Sequence, residues 1–264
     1  MSEKIGLGIV TYKRPDYFKE VIKHIPIDRV DEIVIVNDGT PYDISTDFFT
    51  IQHETNKGVG KSKNSALRHL QSKNCEHFFL MEDDIFIRDA DVFLKYIDAS
   101  KKTGIQHFNY SQHGWMNRQI INNTVSDLPN VRAKIDYRDV SIALYTHCVG
   151  AFSYYSKKCL DTVGLLDENF FNACEHVDHT YQIIKQKLHP QFWWFADLVD
   201  SNKLLSDIPW TKETSTISSR SDHRDLMSAA DKVFRQKNGL TPLQIPQASL
   251  AEVQSALKEI YLSR

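Results

Sequence analysis

Short apolar runs alternate along this chain with segments whose apolar residues recur every three or four positions. IGLGIVTY (5–12) is a run of strand length that ends at KRPD. There Pro15 stops a strand and suits the first turn of a helix. Over 17–25, Phe18, Val21, Ile22 and Ile25 mark one helical face, closed by Pro26. A second run, 33–36, breaks at the turn-forming Asn37-Asp38-Gly39. Strand, helix and strand on short connections predict the opening of a parallel α/β sheet.

The alternation continues. Residues 51–54 predict a short strand, after which NKGVGKSKN leads into a helix through Leu70. Phe78-Phe79-Leu80-Met81 predicts a fourth strand that runs straight into Glu82-Asp83-Asp84, with a helix over 91–96. Between 106 and 139 the periodicity weakens into strand and loop. Residues 141–155 predict a buried strand pair, SKKCLDTVGLLDENF a short helix and turn, and HVDHTYQIIKQKL a helix ended by Pro190. The Ser/Thr-rich stretch 207–222 predicts a mobile loop, followed by helices over 228–237 and 250–262.

Composition narrows the class. The 264 residues are 41% hydrophobic and 25% charged, which fits a globular chain with a sizeable core and excludes disordered or collagen-like readings. A formal net charge of −2 provides no global basic field for nucleic acid. No apolar run reaches the roughly 18 residues of a membrane span, and the polar start MSEK does not read as a signal peptide. Cys75, Cys148, Cys159 and Cys174 form no CxxC pair, so free thiols in a reducing cytoplasm are expected.

Four segments could carry chemistry. Glu82, Asp83 and Asp84 would repel one another unless a cation or a basic side chain compensates them. They also fall where ligands of open parallel sheets gather, at the carboxyl end of a strand. A hard divalent ion held by one or two carboxylates plus phosphate oxygens fits; a solvated acidic turn is the plain alternative. Asn37-Asp38-Gly39-Thr40 could meet a base or ribose, yet NDG is also an ordinary turn. NKGVGKSKN has glycines for close backbone approach and lysines for phosphate, with neither P-loop nor GxGxxG spacing. Glu175-His176-Val177-Asp178-His179 is rich in general-base residues, although acids also simply favour a helix N-terminus.

Taken in order, these segments resemble a GT-A fold glycosyltransferase, and the whole resembles the family 2 group. IVTYKRP looks like that family's opening strand and loop, VNDGT like its VDDGS, and NKGVGKSKNSAL like its N-x-G-x-x-x-A-x-N helix start. LMEDDIFI stands at the DXD position, and VGLLDENFFNACEHVDHTYQI resembles the G-x-F-D-E-x-F…E-D-x-D-x-x-x-R block. The resemblance spans roughly residues 5–200 and implies a Rossmann-like, mainly parallel mixed α/β sheet flanked by helices, with a helical C-terminal extension. It implies one GT-A domain over 1–205, a nucleotide-binding half to about 105 and an acceptor half from 106, with 206–264 packed on it.

The same resemblance implies the site. Thr11, Tyr12 and Arg14 line the nucleotide pocket, Asp38 contacts uracil or ribose, and Lys61 lies near the base or diphosphate. Glu82 and Asp83 face ribose or sugar, and Asp84 binds Mn2+ or Mg2+; apart from the resemblance, His223 is a further candidate metal ligand from its place just beyond the 207–222 loop, once that loop closes over bound nucleotide. The family's base is the Asp of an E-D pair; here the pair reads Glu175-His176, so Glu175, Asp178 and His176 compete, with Glu175 preferred. Gln182 stands where the family has arginine. The implied reaction is inverting transfer from a UDP-sugar to a hydroxyl of a glycan or lipid-linked acceptor, with bacterial surface polysaccharide as the product. The implied location is cytoplasmic, at the inner face of the membrane where peripheral contact is needed. Trp115, Trp193, Trp194 and Trp210 are the pool for stacking on acceptor sugars. The rival readings are a non-catalytic nucleotide-sugar or glycan-binding module, and a sugar nucleotidyltransferase. TYKRP lacks the glycine-rich loop the latter needs.

Overall fold

The computed structural model describes residues 3–44, 46–112, 115–137, 139–191, 194–208, 215–216 and 218–263. The first half of the chain lays down β1 (Ile5–Thr11), α1 (Pro15–Ile22), β2 (Glu32–Asp38), β3 (Phe49–His53), α2 (Val59–Ser72) and β4 (His77–Glu82). The four strands pair in parallel in the order β3-β2-β1-β4. β5 (Ile85–Ile87), α3 (Val92–Thr103) and β6 (His107–Asn109) follow, then the hairpin β7 (Arg118–Ile121) and β8 (Thr124–Pro129). β9 (Ala133–Tyr137) and β10 (Val140–Tyr145) lead to β11 (Phe152–Ser156) and α4 (Lys157–Val163). β11 is inserted antiparallel between β4 and β6, which completes a six-stranded, mainly parallel mixed sheet. The chain closes with α5 (Glu175–Lys185), β12 (Phe195–Leu198), α6 (Ser201–Leu204), β13 (Leu205–Asp207), α7 (His223–Asn238) and α8 (Leu250–Leu262).

Strand alternation explains why helices cover both faces. Ile33, Ile35, Phe79 and Met81 enter one core with α1, α3 and α8, whereas Val34, Val36, Phe78 and Leu80 enter the other with α2, α4 and α5. Strands buried on both sides read as unbroken apolar runs, which is the pattern of 33–36 and 78–81. Gly8 lets α2 settle on β1, because a Cβ there would lie 2.6 Å from that of Ala66. Val253, Leu257 and Ile260 of α8 are buried in the first core; each such side chain is worth roughly 1.5–3 kcal/mol.

The predicted strand pair over 141–155 is not a pair. β10 joins β9 and β12 in a separate antiparallel sheet, while β11 belongs to the central one. Gly150, at φ +72°, turns the chain between them. β13 pairs with β5, and α7 begins at His223, earlier than the apolar spacing indicates, because its buried residues Ala230 and Phe234 come late. Of the loop expected over 207–222, residues 209–214 and 217, with Trp210, lie outside the described residues, as does Trp193. The four cysteines are free thiols. No helix among the described residues is long and apolar enough to cross a membrane.

α7 is latched to α5 through one carboxylate. Asp178 is buried and accepts from Lys237 Nζ at 2.7 Å, Asn238 Nδ2 at 3.0 Å and Gln182 Nε2 at 3.1 Å. Removing a buried acceptor leaves its donors unsatisfied, so Asp178→Ala is expected to cost about 2 kcal/mol or more. Urea titration should show a lower midpoint.

Three buried histidines cluster around α5, which carries one of them: the ring of His107 is 6.5 Å from that of His179 and 6.0 Å from that of His189. Burial penalises their cations, pushing His179 down to about 4, His189 to about 3, and His107 well below its ordinary value. In the unfolded chain they titrate near about 6.5. Between these limits the unfolded chain binds protons that the native state refuses, so stability falls as pH drops from about 6.5 toward 4. Within that window each histidine contributes up to about 1.4 kcal/mol per pH unit. Thermal melts are expected to show Tm declining over this range. His179→Gln, which keeps an N–H for the Gly164 carbonyl, should flatten the decline.

Candidate active site

The site is assembled around the start of α2. β2 ends at Asp38, whose buried carboxylate accepts from the backbone N–H of Lys57 at 2.7 Å and of Gly58 at 2.9 Å, with His53 Nδ1 at 2.8 Å. Gly58 has φ +91°, and a Cβ on it would stand 2.3 Å from the Phe171 carbonyl oxygen, so only glycine fits. That carbonyl accepts from Val59 N–H at 3.0 Å. Further along α2, the Asn64 side-chain amide donates to the Leu166 carbonyl at 2.8 Å and accepts from Leu166 N–H at 3.0 Å. The segment preceding α5 is thereby laced to α2. It ends at Cys174, whose φ of 64° is the left-handed turn that starts α5 on Glu175.

Glu175 then meets Lys63. The lysine is 2% exposed, and its ammonium lies 3.0 Å from Glu175 Oε1, 2.9 Å from Glu82 Oε1 and 2.8 Å from the Gly150 carbonyl oxygen. Its three protons have three acceptors. Burial alone would depress this amine, but Glu82 and Glu175 override it and raise it. Burial would likewise raise the Glu175 carboxyl, yet Lys63 and His176 hold it well below the usual carboxylate range. Both nitrogens of His176 are occupied, Nδ1 at 3.2 Å from Glu175 Oε1 and Nε2 at 2.9 Å from the Cys148 carbonyl oxygen.

A second ion-pair system stands beside the first. Arg14 Nη1 donates to Asp84 Oδ2 at 2.9 Å, and Nη2 donates to Asp83 Oδ1. Asp83 is buried and also accepts from the Thr11 hydroxyl at 2.6 Å; Thr11 in turn contacts the Tyr42 hydroxyl. Burial raises the Asp83 carboxyl and the neighbouring Asp84 adds to this, while Arg14 and Thr11 pull the other way. Arg14 is raised, because Asp83 and Asp84 outweigh its own desolvation. Every acid at the end of β4 therefore has an internal cation.

These groups wall a cavity of about 440 Å³. Its lining includes the polar Arg14, Glu82, Asp84, Glu175 and His176 and the apolar Trp115, Met116, Val149, Val177 and Met227. A narrower recess shares Arg14, Val59 and Glu82 with it and reaches Thr11, Tyr12, Asp38 and Asn56. Thr11, Tyr12, Arg14, Asp38, Glu82, Asp83, Asp84, Glu175 and His176, all singled out in sequence, are thus brought together. Three others are not. Lys61 is exposed on α2, near Glu168, and the lysine in the site is Lys63. Asp178 is covered by the last turn of α7. His223 begins α7, half-buried and apart from the cavity wall, which Met227 reaches instead. Lys63 was detectable: 63, 66, 67 and 70 share one helical stripe with buried Ala66, Leu67 and Leu70, whereas 61 does not.

The donor set sets limits on a metal. Among the described residues no three His, Cys, Asp or Glu side chains converge on one ion-sized point. A protein cage does not fit. Asp84 on the cavity wall fits a hard divalent ion that takes one carboxylate and fills its shell with diphosphate oxygens and water.

No protein-family model matches the chain. Over 221 residues it is 25% identical to a protein of Acanthamoeba polyphaga mimivirus named an uncharacterized glycosyltransferase, covering 76% of this chain and 80% of the relative. Among solved structures it resembles the mannosyltransferase PcManGT of Pyrobaculum calidifontis, in complex with GDP-Man and Mn2+. That match has a TM-score of 0.53 and 11% identity, over 99% of this chain and 70% of the other. It also resembles GalNAc-T7 with UDP, GalNAc and Mn2+, with a TM-score of 0.52 and 10% identity, over 98% of this chain and 55% of that one. Sheet order, acid placement and these likenesses agree: the chain has the GT-A glycosyltransferase fold.

Proposed function

We propose that the protein transfers a sugar from a UDP-sugar to a hydroxyl of a glycan or lipid-linked saccharide, with inversion at the anomeric carbon. The observation that carries this reading is Glu175. It is an ionised carboxylate on the cavity wall, clamped by Lys63 to the acid that ends β4. A base must be deprotonated before reaction, and Lys63 keeps Glu175 so. The acceptor oxygen becomes acidic only as its new bond forms, and its proton then passes to the carboxylate. Both ring nitrogens of His176 face partners within the protein, and Asp178 is outside the cavity.

The donor's nucleotide occupies the recess bounded by Thr11, Tyr12, Asp38 and Asn56 in this reading. Arg14 faces the diphosphate. Asp84 would hold Mn2+ or Mg2+, which compensates the charge that develops on the leaving nucleotide. The apolar wall of Trp115, Met116 and Val149 suits the ring face or apolar body of an acceptor. Ser215, Thr216 and Ser218 line the cavity and in this reading help to exclude water from the donor. The proposed site of action is the cytoplasm or the inner face of a membrane. A role in bacterial surface polysaccharide rests on the family resemblance alone; the matched relative is viral.

One observation favours a second reading, a non-catalytic nucleotide-sugar-binding module. Glu82, Asp83, Asp84 and Glu175 are all ion-paired within the protein. UDP release measured with and without acceptor separates the two. If the site is catalytic, Glu175→Gln should cut transfer about 100-fold or more with donor affinity nearly unchanged. Asp178→Asn should retain turnover in protein that remains folded. A Glu175→Gln variant with near-native turnover would remove the base assignment. In calorimetry, Asp84→Asn should weaken UDP binding in the presence of Mn2+ by about tenfold without weakening metal-free binding. Equal affinities in both proteins would sink the metal assignment.

A further inference from the structure

Arg14 has a bonding pattern that a purely structural arginine does not need. Its two terminal nitrogens are divided between two different carboxylates, Asp83 and Asp84. Its third donor, Nε, is buried and has no hydrogen-bond partner among the described residues. The side chain also borders both the main cavity and the narrower recess. Its backbone is anchored: Pro15 begins α1 immediately after it, and the Arg14 carbonyl accepts from Phe18 N–H at 3.0 Å. Movement is therefore a matter of the side chain alone.

Two facts of charge constrain what can bind here. Arg14 sits on Oδ2 of Asp84, so a divalent ion held by the same carboxylate would lie beside a guanidinium, and the two cations would repel each other. Displacing Arg14 without replacement would leave a desolvated cation beside a second cation, a strongly unfavourable arrangement. A diphosphate removes the conflict. It brings negative charge to the metal and acceptor oxygens to a guanidinium fork, which matches phosphate geometry. The unpartnered Nε is an unused donor for such an oxygen.

We propose that Arg14 is an exchangeable counter-ion. In the empty site it neutralises Asp83 and Asp84. When a nucleoside diphosphate arrives it transfers its Asp84-facing donor to a phosphate oxygen and releases Asp84 to the metal. Metal and nucleotide consequently load together, each strengthening the other by the same factor. The inference rests on the reading of Asp84 as the metal-holding residue.

The test is Mn2+ binding, followed by the loss of the free-ion electron paramagnetic resonance signal, on the full chain without acceptor. The wild type should bind Mn2+ weakly alone and about tenfold or more tighter with saturating UDP or GDP. Arg14→Met should bind Mn2+ alone about tenfold tighter than the wild type alone, with the nucleotide effect reduced to about threefold or less. Arg14→Lys, which keeps a charge but cannot span two carboxylates, should fall between them. It carries the comparison if circular dichroism shows Arg14→Met unfolded. Adding Asp84→Asn to either variant should abolish the gain. Nucleotide-linked Mn2+ binding in the wild type, with neither variant tighter than it in the absence of nucleotide, would overturn the role of Arg14 and leave Asp84 as metal ligand. A gain that survives Asp84→Asn would overturn it as well. No Mn2+ uptake by the wild type with either nucleotide would overturn the metal reading itself, and this inference with it.

Discussion

A single buried ammonium holds the functional end of this fold together. Lys63 is nearly inaccessible to water, and burying such a charge is costly unless every proton on it finds an acceptor. Glu82, Glu175 and the Gly150 carbonyl provide those acceptors, and they come from β4, α5 and the loop before β11. The three elements are distant in sequence and meet at one atom. Their relative positions are therefore set by the geometry of a single side chain. Replacing Lys63 with an uncharged residue would leave two carboxylates facing each other in a dry environment, which is why the pairing constrains the site so strongly.

The same logic repeats at Arg14, and together the two cations explain how three consecutive acids can end a buried strand. Elementary electrostatics requires compensation for Glu82-Asp83-Asp84, and the structure divides it between two basic residues on opposite sides of β4. Arg14 takes Asp83 and Asp84; Lys63 takes Glu82. The division also assigns different work to neighbours. Asp83 is buried, bonded to Thr11 and effectively part of the scaffold, whereas Asp84 and Glu82 remain on the cavity wall.

Legibility from sequence follows the range of the interaction. The central strands were readable because burial on both faces produces unbroken apolar runs, and α1, α2 and α8 were readable from spacing. The acids were readable because they directly follow such a run. The need for a counter-ion was readable too, but not its identity, since Arg14 lies 69 and 70 positions from the carboxylates it meets. Lys63 was missed in favour of Lys61 because NKGVGKSKN looks like a glycine-rich loop, and loop residues carry no periodicity. Once Val59 is recognised as the start of a helix, the buried stripe passes through 63 and excludes 61. The split of 141–155 between two sheets left no local trace, because both strands are equally apolar.

The hardest distinction, between Glu175 and Asp178, depends on what covers a helix rather than on the helix itself. Residues three or four apart share one stripe, so Glu175, Asp178 and Gln182 run down the same side of α5. The first looks into the cavity. The second is met by Lys237 and Asn238 at the end of α7, and the third is tied to Asn238. α7 spans 16 residues, about 24 Å of helix, and its first turns bring Met227 to the cavity rim. One helix thus borders the cavity near one end and, at the other, buries Asp178. The burial of Asp178 is thus made by residues 59 and 60 positions further along the chain, in a helix whose own sequence is mostly polar and gives no sign of it.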